Sequence, residues 1–255
     1  MIIGDKMKVL ITGASSGIGR SFAHILSKKY DEMILVGRDK IKLNKLKCEL
    51  SSDTNIKIVL TDISNVDNCI KLYEENKDID LLINNAGFGD CGLFDETDLH
   101  KDLNMINTNI VGLHILTKLY LGEMKKRDSG HILNVASIAG FMPGPLMATY
   151  YATKNYVVRL SEAIREELKR EKSNVKISVL CPGPVNTNFN KTANVKFSLK
   201  GMESNDVAKY AIKHLNRFYI ISGFGIKITK FFSHLFSSSI MAKFCYNIQK
   251  RKIYK

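Results

Sequence analysis

A short apolar run that stops at a glycine-rich turn constrains this chain more than any other feature. Lys8–Thr12 reads KVLIT, and Thr12-Gly13-Ala14-Ser15-Ser16-Gly17-Ile18-Gly19-Arg20 follows at once. The run has the length of a buried strand, and residues 18–29 repeat with helical spacing. Glycine admits a tight turn and lets backbone N–H groups approach an anion closely. The helix behind it turns its positive end to the same place. Alone, such a glycine pattern is weak, because plain turns use it too. A strand before it and a helix after it make the setting of a pyrophosphate-binding loop.

The rest of the chain repeats that alternation. Strands are expected over 33–36, 56–60, 79–83, 131–136 and 175–180, with a short edge strand over 219–222. Helices are expected over 40–50, 66–75, 98–107, 110–126, 149–172 and 205–216. This order implies an α/β fold: a doubly wound (Rossmann-type) parallel β-sheet with helices on both faces, in a single domain with right-handed crossovers. A length of 255 residues, 45% of them hydrophobic, suits one such core. Residues 1–216 are read as the dinucleotide-binding and catalytic unit. Residues 217–255 form a C-terminal extension, within the same domain or as a lid.

Several function classes recede. The five cysteines (Cys48, Cys69, Cys91, Cys181 and Cys245) are widely spaced without a CxxC pair, which argues against a disulfide framework. The six histidines show no ligand spacing, so no metal is expected. The formal charge is +13, but eight of the basic residues fall in 217–255, where no Asp or Glu occurs. A localised excess without a reader motif gives no reason to expect a nucleic-acid partner. The start of the chain lacks the apolar stretch of a signal peptide, and no run is long enough to span a bilayer. A cytoplasmic protein is expected, with the extension as a candidate peripheral membrane contact.

Further motifs follow the glycine loop in order: Asp62 after the third strand, Asn84-Asn85-Ala86-Gly87 after the fourth, then Asn109 and Ser137. Tyr150-Tyr151-Ala152-Thr153-Lys154 and Pro182-Gly183-Pro184-Val185-Asn186-Thr187 complete the set. With its GxxxGxG spacing, the series resembles the short-chain dehydrogenase/reductase family over residues 7–215. The resemblance implies an oxidoreductase acting on CH–OH groups with a nicotinamide dinucleotide, commonly as a homodimer or homotetramer. It places Gly13, Ser15, Ser16, Gly17, Ile18 and Gly19 at the pyrophosphate, and Asp62, with Ile63, at the adenine. It sets Asn84, Ala86 and Gly87 along the adenosine ribose, and Pro182, Gly183, Val185 and Thr187 at the nicotinamide end.

Which dinucleotide is argued from the second strand. An NAD-selective site commonly carries Asp or Glu there, whereas this chain has Gly37 followed by Arg38. A guanidinium can hold a 2′-phosphate bidentately, which favours NADP(H).

Oxidising an alcohol requires a group that takes a proton while hydride leaves carbon. Free tyrosine, with a pKa of about 10, is a poor base at neutral pH. A neighbouring ammonium would lower that value. Tyr150 and Lys154 are four apart on the expected helix and can share one face. Tyr151 has only Asn155 at the same spacing, so Tyr150 is read as the acid/base. Ser137 ends the fifth strand, where open α/β sheets bind ligands, and its hydroxyl could hold the substrate oxygen. By resemblance, Lys154 also binds the nicotinamide ribose, and Asn109 is the fourth catalytic position, holding a water of the proton relay.

Phe189, Phe197, Leu199 and Met202, together with Phe141, Met142 and Leu146, are expected to make an apolar substrate wall. Such a wall suits a steroid, a bile acid, a fatty-acyl ketone or another lipid-like carbonyl or alcohol. The tail carries nine aromatics with only positive charge between them, and amphipathic helices are expected over 226–236 and 239–251. These either dock on the protein's own core or lie in a membrane surface. A non-catalytic NADP-sensing protein is the rival reading: it would keep the glycine loop but has no need of Tyr150, Lys154 and Ser137 together.

Overall fold

The computed structural model describes residues 6–187, 189, 193, 201–223, 228 and 235–253. Strands β1 (Lys8–Thr12), β2 (Glu32–Gly37) and β3 (Asn55–Leu60) wind outward in one direction. The chain then returns past β1 to β4 (Leu81–Asn84), β5 (His131–Val135) and β6 (Lys176–Leu180). Two short strands, β7 (Val185–Asn186) and β8 (Met202–Glu203), pair with each other outside this sheet. A last edge strand, β9 (Tyr219–Ile220), closes the order β3-β2-β1-β4-β5-β6-β9, and every pairing in it is parallel.

The helices fill the crossovers: α1 (Gly17–Leu26), α2 (Lys40–Leu50), α3 (Val66–Glu74), α4 (Leu99–Ile106), α5 (Leu113–Lys126), α6 (Ala148–Arg170) and α7 (Ser204–Lys213). Helices α2, α3 and α4 start at Asp39, Asn65 and Asp98, whose side chains accept from the N–H three residues on. That satisfies one of the amides a helix start leaves open.

Because successive strand residues point to opposite faces, each strand feeds two cores. Leu10, Ile34, Val36, Leu82 and Ile132 pack with Leu72, Leu116, Tyr120, Val157 and Val158 from α3, α5 and α6. Val9, Ile11, Met33, Leu35, Ile83 and Leu133 pack with Phe22, Leu43, Leu46 and Val207 from α1, α2 and α7. Continuous apolar strands are what a sheet covered on both sides requires.

Two local departures from the expected pattern matter later. The helix expected over 110–126 begins at Leu113, because Asn107–Gly112 forms a π-helical turn between α4 and α5. The helix expected over 226–236 lies mostly outside the described residues. The next one is present as α8 (Ser238–Ile253), which buries Met241, Cys245 and Gln249 and leaves Ile240 and Phe244 exposed. Met241 and Cys245 join the first core, so α8 docks on the body of the protein.

At the point where the winding reverses, the carboxyl ends of β1 and β4 are tied together. The Thr12 hydroxyl accepts from the Asn85 N–H at 3.0 Å and the Ala86 N–H at 3.1 Å. Asn85 in turn donates from its side chain to the Thr12 carbonyl at 3.0 Å. Thr12→Val keeps the shape and leaves the Ala86 N–H without its acceptor, while the Asn85 N–H keeps the Ile83 carbonyl at 3.1 Å. It is expected to cost about 1–3 kcal/mol, seen in thermal unfolding as a Tm lower by several degrees; an unchanged Tm would show that the seam carries no stability.

Candidate active site

The glycine loop leaves β1 with Gly13 at φ +66° and Gly17 at φ +53°, a region that disfavours side chains. A Cβ on Gly13 would meet the Ala86 Cα at 2.8 Å, so loop and β4 end pack backbone to backbone. Helix α1 then starts from Ser16 with no side-chain cap and no acidic residue in its first turn. Its first amides and its positive end are therefore left for an outside anion.

A cavity of about 830 Å³ runs along this edge of the sheet. Of the residues expected at the dinucleotide, Gly13, Ser15, Ser16, Gly17 and Ile18 line it at the loop, and Arg38, Asp62 and Ile63 at the far end. Ala86, Gly87, Pro182, Gly183, Val185 and Thr187 line its middle. Gly19 stands behind the loop, where a Cβ would meet the Gly13 carbonyl oxygen at 2.3 Å. Asn84 also lies off the cavity, buried beneath it, and donates to Thr117 Oγ1 and Asn134 Oδ1, both at 3.0 Å. Asn134 continues this network to Ser161 on α6.

Arg38 is well exposed, and its guanidinium pairs with the Asp62 carboxylate at 3.1 Å across the mouth. Asp62 is held below the usual carboxylate range: its bonds from Ser64 and the charge of Arg38 outweigh the opposing effect of burial. Lys42 and Ser15 line the same end. The donor set suits a phosphate monoester, which would compete with Asp62 for Arg38.

Ser137, Tyr150 and Lys154 line the cavity together, with Ser137 hydrogen-bonded to Tyr150. Ser137 follows β5 and caps a short 3₁₀ turn, Ile138–Phe141, its hydroxyl accepting from the Ala139 N–H at 3.2 Å. Lys154, only 5% exposed, donates to the Val135 carbonyl at 2.9 Å, and its Nζ lies 6.0 Å from the centre of the Tyr150 ring. Gly87 permits this approach, since a Cβ there would stand 2.9 Å from Asn109 Oδ1 and 3.4 Å from Lys154 Nζ.

Asn109 sits in the π-helical turn, fully buried, and does not itself line the cavity. Its amide clamps Phe88, accepting from its N–H at 3.0 Å and donating to its carbonyl at 2.9 Å. It also donates to Thr153 Oγ1 at 3.1 Å, which joins the turn to α6 one residue before Lys154. The widened turn brings this side chain to the loop after β4, as π-bulges at functional sites often do.

The protonation states differ from the sequence expectation. Burial pushes the Tyr150 phenol up to about 12, against a smaller opposite effect of the Ser137 hydrogen bond. Burial also lowers Lys154 to about 8. Desolvation is thus the largest influence on the phenol, and the Lys154 Nζ stands 6.0 Å from the centre of the ring. Burial favours the protonated phenol.

The apolar wall also differs. Phe189 lines the cavity and packs on Tyr150 with ring centres 5.2 Å apart, joined by Met147 and Tyr151. Phe141, Met142 and Leu146, expected in this wall, do not line it: Phe141 and Met142 are buried in the main core. Met202 pairs with Val185 in the small sheet instead. Phe197 and Leu199 lie outside the described residues. Asn155, the uncharged neighbour of Tyr151, steadies the turn by donating to the Ala139, Met142 and Tyr151 carbonyls. Sequence reasoning missed Thr12, Asn85 and Thr153, whose roles are in backbone ties, and it missed Gln249 of α8, which reaches the cavity wall.

Among the described residues no group of three or more His, Cys, Asp or Glu is placed to hold a metal, and no helix is long and apolar enough to cross a membrane.

Comparison with known proteins bears on this site. The sequence model described as short chain dehydrogenase matches residues 7–196. An uncharacterized oxidoreductase of Staphylococcus aureus (strain USA300) is 33% identical over 225 residues, which cover 84% of this chain and 95% of that one. Among solved structures, a short-chain dehydrogenase from Sphingobium yanoikuyae in complex with NADPH has a TM-score of 0.80 at 26% identity, covering 86% of this chain and 88% of its own. A short chain dehydrogenase/reductase from Burkholderia phymatum in complex with NAD also has a TM-score of 0.80 at 26% identity, covering 90% and 93%.

The buried lysine has a consequence for stability. Its ordinary pKa of 10.5 falls to about 8 in the fold. Below pH 8 both folded and unfolded chains carry the charge, and the cost of burying it is complete. As pH rises from about 8 towards 10.5, the folded chain releases this proton first and that cost is relieved. Urea unfolding of the ligand-free protein should therefore show the wild type gaining stability relative to Lys154→Met between about pH 7.5 and 9.5. A gap that does not change with pH would mean that Lys154 is not desolvated.

Proposed function

The chain belongs to the short-chain dehydrogenase family, and on that premise we propose that it interconverts a secondary alcohol and a ketone with NADP(H), using Tyr150 and Lys154 for the proton. One observation carries this reading: Ser137, Tyr150 and a buried Lys154 converge in a cavity that continues into the glycine loop. A sensor would need the loop and the cavity but not this convergence.

The residues fit the dinucleotide. The loop has no side chains at Gly13 and Gly17 to obstruct a pyrophosphate, and the open start of α1 supplies amides and positive potential. Bound there, the nicotinamide supplies or accepts the hydride. Ser137 would orient the substrate oxygen by hydrogen bonding. Tyr150, its pKa raised by burial, would donate its proton to that oxygen as the ketone is reduced and take it back in the reverse reaction. Lys154, which burial brings into titration range near pH 8, would replenish the phenol. Asn109 is proposed as a positioning residue, fixing Phe88 and Thr153 on either side of the lysine.

NADP(H) is preferred on the strength of Arg38 and the absence of an acid at Gly37; of the two solved relatives, one holds NADPH and the other NAD. Met147, Tyr151 and Phe189 favour an apolar carbonyl compound: a steroid, a bile acid, a fatty-acyl ketone or a similar lipid-like substrate.

Two measurements test this. With a panel of apolar ketones, Tyr150→Phe should bind NADPH yet lose about 10²–10⁴-fold in the rate of its oxidation. Turnover unaffected by the substitution contradicts the mechanism, and wild type that binds NADPH but reduces nothing favours the sensor. Arg38→Ala should lower the NADPH-over-NADH preference in kcat/KM by roughly tenfold or more. An unchanged ratio removes Arg38 from cofactor choice.

A further inference from the structure

Three buried side-chain atoms have no hydrogen-bond partner among the described residues: Asn84 Oδ1, Ser222 Oγ and Gln249 Oε1. Of these residues, Gln249 alone lines the cavity. It comes from α8, a helix far from the family motifs in sequence, and is 1% exposed. Its Nε2 donates to the Tyr151 hydroxyl at 2.6 Å. The Tyr151 ring stands edge-on to Tyr150, with centres 6.1 Å apart.

A buried acceptor left without a donor is costly, and native structures rarely keep one unless something else satisfies it. The neighbouring phenol supplies the complementary half. Tyr151 accepts from Gln249, so its own O–H proton remains available. Burial raises its pKa further, which keeps that proton in place at neutral pH. The wall thus holds an available donor beside an unfilled acceptor, one ring away from the reacting phenol. An alkyl group satisfies neither, a ketone can only accept and an ammonium can only donate, whereas a hydroxyl does both.

We propose that Gln249 and Tyr151 form a hydroxyl-binding subsite, so that the substrate is an apolar ketone or alcohol bearing a second hydroxyl away from the reacting carbon. Tyr151 donates to that hydroxyl, and the hydroxyl donates to Gln249 Oε1. Helix α8 then selects the substrate as well as covering the core. This rests on the oxidoreductase reading above and extends it from an apolar wall to a specific polar anchor. With the Gln249 amide turned the other way, an N–H would be left over and a second carbonyl would be favoured instead.

The test uses the full chain with NADPH and matched ketones of decalone and steroid size. Each is offered plain, with a remote hydroxyl, or with a remote second carbonyl. Wild type is expected to favour the hydroxylated member in kcat/KM, mainly through a lower KM. Gln249→Leu and Tyr151→Phe should each reduce that preference roughly tenfold, the size expected for one buried hydrogen bond. Tyr151→Phe keeps the packed ring and so serves if the leucine variant fails to fold. No wild-type preference, a preference for the dione, or a preference that survives both substitutions overturns the subsite while leaving the oxidoreductase reading intact. If wild type reduces none of the ketones, the oxidoreductase reading falls and the subsite with it.

Discussion

The hydrogen bond from Lys154 to the Val135 carbonyl fixes the geometry on which the rest of the site depends. Burying an ammonium is costly, so the surrounding structure has to be built tightly around it. The bond pins α6 to the end of β5, which sets Tyr150 one turn earlier on the helix over the cavity. Gly87 leaves room beside it for the Asn109 amide, which a Cβ would meet at 2.9 Å and which holds the Phe88 backbone. Because both groups are buried, desolvation governs them, lowering the lysine to about 8 and raising the phenol to about 12.

The cavity owes its shape to the reversal of winding between β1 and β4. Thr12 and Asn85 close the seam below it, and Gly13 of the glycine loop packs directly on Ala86. Charge is distributed unevenly along the cavity. Its outer end has the exposed Arg38–Asp62 pair, which a phosphate could rearrange at little cost, as surface ion pairs contribute little. Met147 and Phe189, packed together with Tyr150, and Gln249 of α8 also line the cavity. The proposed chemistry uses both: an adaptable ion pair for a charged cofactor and a buried wall where a single hydrogen bond counts for more.

The fold was legible because its signals are local and periodic. Runs such as Leu10 and Leu82 against Val9 and Leu81 divide cleanly between the two cores. The site was legible where motif residues sit at strand ends, as Ser137 does, or four apart on a helix, as Tyr150 and Lys154 are. Other features depend on distant contacts. The π-helical turn at Asn107–Gly112 has no period of its own and spans the break between the two helices expected over 98–107 and 110–126. Phe141 and Met142 read as pocket residues by proximity to Tyr150, but the 3₁₀ turn directs them into the core. Gln249 gave no signal, because its place beside Tyr151 exists only once α8 has packed against the body.

The central claim is that burial keeps the Tyr150 phenol protonated, as a proton donor in wait for a substrate oxygen. Ultraviolet difference titration of the ligand-free protein against Tyr150→Phe tests it most directly, since phenolate absorbs where phenol does not. The account expects no excess phenolate in the wild type up to about pH 10, the pKa of free tyrosine. An excess equivalent to one tyrosine by about pH 8 would contradict it, for the phenol would then lie well below that ordinary value.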